Sequence, residues 1–190
     1  MEKIVKCGIV GGFVLFIWAA ILYTLIPWHG HQMKSFSNEK SVRNTIASNI
    51  DGSGLYMLPN LEKYQDNPQQ MEDAKARMRE GPFVVAAVRA NGMEPGIKGN
   101  MIASLIFKIV SAGLASWLLL RTYPQHAPNF IQAVRFMIVV GILVGLSTTA
   151  PCFIWFGFPL TLSLASFFEI VVGWLFAGLA IANIVAKSHR

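Results

Sequence analysis

Apolar residues gather in four stretches along this chain, at about residues 4–27, 101–120, 130–150 and 160–186, with polar segments between them. A helix rises about 1.5 Å per residue and the hydrocarbon layer is about 30 Å thick, so a span needs about 20 apolar residues. Each stretch meets that length. In hydrocarbon every backbone N–H and C=O must find its partner inside the protein, which makes all four stretches helices. The pattern therefore predicts an all-α membrane protein with four transmembrane helices. Residues 1–27 carry the first helix and 101–190 the other three. Residues 28–100 form a small α+β extracytoplasmic insertion between the first and second helices.

The insertion has its own signals. Ser37 or Asn38 caps a helix over about 39–49, with Glu39 in its first turn and Val42, Ile46 and Ile50 on one face. Asn67-Pro68 starts a second helix over about 68–79, the cap followed by proline at the first helical position. Its apolar stripe is only Met71, Ala74 and Met78, so it is expected to be exposed and marginal by itself. Leu55–Leu58 follows the turn signal Asp51-Gly52-Ser53-Gly54 and is closed by Pro59. Phe83–Val88 lies between Gly81-Pro82 and Asn91-Gly92. These two pieces are expected to pair as antiparallel strands, the second more buried because it is apolar throughout. A two-stranded sheet is marginal alone, so it should lean on the membrane surface, the outer helix ends or another protein. Gly92, Pro95, Gly96 and Gly99 read as a flexible lead into the second apolar helix.

Composition agrees with the class: 54% of residues are hydrophobic and the mean hydropathy is +0.48, values a soluble domain seldom reaches. Lys3 and Lys6 resemble the start of a signal peptide. The apolar run from Cys7 to Pro27 is too long for one, however, and no Ala-x-Ala pattern follows, so a retained helix is expected.

The distribution of charge predicts orientation. Segment 28–100 holds nine Lys/Arg against eight Asp/Glu, and Lys108 and Glu169 cancel. Lys3, Lys6, Arg121, Arg135, Lys187 and Arg190 remain against Glu2, and four crossings put all six cations on one side. Lys and Arg are retained in the cytoplasm, whereas long loops translocate largely regardless of charge. Both termini are thus expected in the cytoplasm, the insertion in the periplasm, and the protein in a bacterial inner membrane. Tyr23 and Trp28 fall at the outer end of the first helix. Phe153, Trp155, Phe156 and Phe158 crowd the outer turn between the third and fourth, and Trp117 and Tyr123 mark the inner end of the second. No basic stripe interleaved with aromatics points to nucleic acid.

Candidate chemistry starts with polar groups inside the bilayer, which are costly and tend to be functional. Lys108 and Glu169 fall at similar depth in the second and fourth helices and are expected to form an intramembrane ion pair. The sharper reading of Glu169 is a proton or ion relay. Arg135 is close enough to the cytoplasmic end of the third helix to meet lipid headgroups. None of the four histidines sits mid-membrane, which argues against an intramembrane haem or metal centre. His29 and His31, with Met33 and Cys152, are the weak candidates for copper at the outer face; solvated histidines are the plainer reading. Cys7 and Cys152 fall on opposite membrane faces and cannot pair. Ser147, Thr148 and Thr149 are expected to bond the backbone one turn back. No nucleophile elbow, zinc-protease helix or phosphate loop appears, so neither enzyme activity nor a cofactor is expected. Small residues four apart (Gly8/Gly12, Ser111/Ala115, Ala112/Ser116, Gly141/Gly145, Gly173/Ala177, Gly178/Ala182) predict close helix packing.

Three places carry a family likeness: Gly11-Gly-Phe-Val-Leu-Phe-Ile-Trp18; Ser53-Gly-Leu-Tyr-Met-Leu-Pro59 followed by Gly81-Pro82-Phe83; and Trp155-Phe-Gly-Phe-Pro159 leading to Glu169 and Gly173-Trp174-Leu175. In these the chain resembles an uncharacterised family of small bacterial four-span integral membrane proteins. The resemblance implies the same four-span layout and supplies no activity or functional residue. The expected function is a non-catalytic accessory or scaffold subunit. Its partners are the lipid bilayer and, through the extracytoplasmic segment, another membrane or periplasmic protein or a second copy of itself. The alternative is a small oligomeric transporter or proton-coupled unit using Glu169.

Overall fold

A computed structural model describes residues 1–25, 33–94, 97–123 and 126–186. It divides into two compact units, one holding the long helices and one spanning Lys34–Pro95.

The first unit is a bundle of four helices, each long and apolar enough to cross a membrane: α1 (Glu2–Leu25), α4 (Ile97–Thr122), α5 (Phe130–Phe156) and α6 (Leu160–Ala186). The protein is a four-span integral membrane protein. α4 begins four residues before the predicted 101, so Gly99 belongs to its first turn and is not part of a flexible lead. A glycine weakens a helix by about 1 kcal/mol, too little to stop one nucleated by the long apolar run behind it. α5 runs six residues past the predicted 150 and through Pro151, so Phe153, Trp155 and Phe156 stand on its last turns instead of in the outer turn. Proline removes one backbone donor and loosens the turn before it. There Thr148 Oγ1 donates to the Val144 carbonyl (2.8 Å) and Thr149 Oγ1 to that of Gly145 (2.8 Å), as expected of those hydroxyls. Gly157, at φ 67°, then ends α5, and its N–H donates to the Cys152 carbonyl. At the other end Asn129 and Gln132 form a reciprocal capping box.

The helices stack in the order α4, α1, α6, α5. α1 contacts both α4 and α6, α6 packs extensively on α5, and α4 meets α5 only thinly. The small-residue faces make the seams. A Cβ built on Gly12 would sit 2.5 Å from the Ile109 Cα of α4, and one on Gly141 would sit 2.7 Å from the Trp174 Cβ of α6. Any larger residue there must push a helix backbone or a buried ring aside. The best-buried large side chains are Leu119, Met137, Ile181 and Val185. Lys3 Nζ donates to the Val185 carbonyl at 3.3 Å, so the start of α1 and the end of α6 lie at the same end of the bundle.

The second unit is thinly built. Asn38 caps α2 (Glu39–Ala47), its side chain accepting from Ser41 N at 3.0 Å; Asn67 does the same for α3 (Pro68–Glu80) from Gln70 N at 3.1 Å. β1 (Gly54–Leu58) and β2 (Val84–Val88) pair antiparallel with Tyr56 opposite Ala86. Tyr56 Oη donates to the Gly52 carbonyl (2.8 Å) and the Ala90 N–H to Ser53 Oγ (3.0 Å), closing the sheet's ends. Both strands remain half-exposed, because no layer covers either face within the unit. A short 3-10 turn, Leu61–Tyr64, was not evident from periodicity; it lies against α3, where the Arg77 guanidinium sits 5.8 Å from the Tyr64 ring.

Candidate functional site

The long helices line a half-open cavity of about 420 Å³. α1 forms its floor with Leu15, Trp18 and Ala19. α4 supplies Ser104, Phe107, Lys108 and Ser111 on one side; α6 supplies Glu169, Ile170, Gly173 and Trp174 on the other, with Val144 of α5 beside them. The lining thus brings together the two residues singled out as polar within apolar runs. They share the cavity without bonding to each other. Glu72 and Lys75 form an ion pair at 2.7 Å on the surface of α3.

The helix order explains why the space exists. α1 is wedged between α4 and α6, and α4 does not close against α5 along its length. Trp18 bridges the seam: its Nε1 donates to the Glu169 carbonyl at 3.0 Å, and its ring meets Phe176 edge-on at 5.0 Å. Gly173 makes room for it, since a Cβ there would stand 2.9 Å from Trp18 Cδ1. Trp174, 5% exposed, forms the far wall. Neither indole was singled out from sequence as part of a site. A signal was present, because tryptophan favours the headgroup region and both of these lie inside apolar runs.

The other candidates fall elsewhere. Arg135 is exposed on the second turn of α5 and contributes nothing to the cavity. Arg121 lies 5.7 Å from the Trp117 ring at the end of α4. Cys7 is buried near the start of α1, while Cys152 is half-exposed near the end of α5; both are free thiols. Trp28, His29 and His31, the copper candidates, and Pro95, Gly96, Lys187, His189 and Arg190 lie outside the described residues. Ser163 Oγ in α6 is a buried hydroxyl without a hydrogen-bond partner among the described residues. The chain matches no protein-family model, no curated protein and no solved structure.

Proposed function

We propose that this chain is a non-catalytic accessory or scaffold subunit of a bacterial inner membrane, docking a membrane or periplasmic partner through the segment between α1 and α4. The observation that carries the reading is the incompleteness of that segment. Pro59 and Ala74 are the buried residues of its described part, while Leu55, Leu58 and Val84 stand exposed on a sheet of only two strands. Each strand keeps one unpaired edge, which is a ready template for another chain. A sheet of this size is stable only when something covers it. The sidedness rests on charge. Lys3 and Lys6 share an end of the bundle with the last turn of α6, and Arg121 and Arg135 flank the connection between α4 and α5. The family likeness noted in the sequence fits this layout. Arg135 is assigned to lipid headgroups.

The test is purification from native membranes in mild detergent. A second protein at stoichiometric amount, lost in Leu55→Asp and Val84→Asp but kept in Glu169→Gln, is the expected result. The cavity favours one other reading, a small oligomeric transporter or proton-coupled unit, because Glu169 and Lys108 line an intramembrane space. A homo-oligomer alone, with pH-dependent ion flux abolished by Glu169→Gln, would replace the scaffold reading with that one.

A further inference from the structure

Four properties of the cavity between α4 and α6 limit what can occupy it. Its lining is mostly carbon, with Leu15, Phe107, Ile170 and the indoles of Trp18 and Trp174. It lies near mid-depth of the spans, since Lys108 is near the middle of the 26-residue α4. Its lipid side falls between α4 and α5, which meet only thinly. Lys108 lines it, and among the described residues no hydrogen bond or ion pair reaches the ammonium.

An ammonium at this depth is costly without a matching acceptor. An anionic lipid headgroup offers one, but it would have to leave the interface and bring its charge beside Glu169 on the same lining. A neutral carbonyl avoids both costs and still accepts a charge-assisted hydrogen bond. The indoles favour a flat ring beside that carbonyl, and Trp18 is already fixed by its bond to the Glu169 carbonyl at 3.0 Å. The volume lies within the range of small-molecule sites, about 300–1,000 Å³. Entry from the side requires a ligand already dissolved in the bilayer.

We propose that this cavity binds the head group of a lipid-soluble aromatic carbonyl compound of the quinone class. Lys108 Nζ donates to a ring carbonyl, the ring lies against Trp18 and Trp174, and the alkyl tail leaves between α4 and α5. The proposal concerns binding alone and is independent of the docking surface on the outer segment.

The probe is a decyl-tailed benzoquinone titrated into the full-length protein in mild detergent, read as saturable quenching of tryptophan fluorescence. Lys108→Met is expected to weaken binding by about tenfold or more, while Lys108→Gln, which keeps a donor, weakens it less. Ala19→Phe fills the floor of the cavity and is expected to abolish saturable quenching while the thermal midpoint holds. Equal affinity in wild type and a folded Lys108→Met overturns the proposal, as does wild type that quenches only linearly. Competitive displacement by phosphatidylglycerol overturns it in favour of a phosphate headgroup. If Lys108→Met does not fold, Ala19→Phe decides: quenching unchanged from wild type refutes the site.

Discussion

Single glycines let the helices of this bundle approach to backbone contact. Gly12 faces the backbone of α4, where an added Cβ would lie 2.5 Å from Ile109 Cα and 2.6 Å from Ile109 N. The clash is with main chain, so no rotamer relieves it. Gly12→Leu should therefore part α1 from α4 and cost about 1–3 kcal/mol or more. The measurement is the thermal midpoint in detergent, which should fall clearly. Gly99→Leu, where nothing lies within 4 Å, should leave it nearly unchanged. A midpoint unaffected by Gly12→Leu would contradict the α1–α4 seam. Residue identity also explains the polar site. Lys108 and Glu169 stood out in the sequence because charge is rare in apolar runs. Their shared cavity, and the part played by Trp18 and Trp174, depend on α1 being wedged between α4 and α6, and no spacing along one helix encodes that order.

Whole elements were legible in proportion to how local their cause is. The four long helices follow from apolar length, and α2 and α3 begin where Asn38 and Asn67 cap them. The strand pairing followed from two short apolar runs bounded by turn residues. Boundaries failed where a breaker met a cooperative helix: Gly99 sits inside α4 and Pro151 inside α5. The second strand is the better covered of the two, as expected: Val85, Ala86 and Val88 are half-buried, against Tyr56 and Met57 in the first. α3 is held by local terms, among them the exposed Glu72–Lys75 pair at 2.7 Å. The Lys75 hydrogen bond, and then its charge, hold the Glu72 carboxyl below its ordinary value of 4.5. A depressed carboxylate stabilises above its unfolded value, and that contribution is lost as pH falls through the folded value. Acidification below the usual carboxylate range should therefore fray the first turns of α3. Cα chemical shifts of residues 68–80 read this directly, and Glu72→Gln should remove that part of the pH dependence. The effect should be small, because the pair is exposed and screened. An identical acid transition in wild type and Glu72→Gln would show that the pair contributes nothing.

At the scale of the whole molecule, an even number of crossings accounts for both halves of the chain. The contact of Lys3 Nζ with the Val185 carbonyl places the beginning of α1 and the end of α6 together. The cation at the end of a helix also suits the dipole there. An apolar, two-edged sheet between α1 and α4 in the chain suits a docking role, and a half-open cavity among the spans suits a lipid-soluble ligand. The docking proposal needs the segment between α1 and α4 to be on the other side of the membrane from the chain ends. The most direct measurement is labelling of intact cells with a membrane-impermeant maleimide. Ser53→Cys, in a background of Cys7→Ala and Cys152→Ala, carries the probe site, and a protease-sensitive tag follows Arg190. The account predicts that Ser53→Cys is labelled from outside while the tag resists external protease until the membrane is opened. Labelling and cleavage from the same side would contradict it.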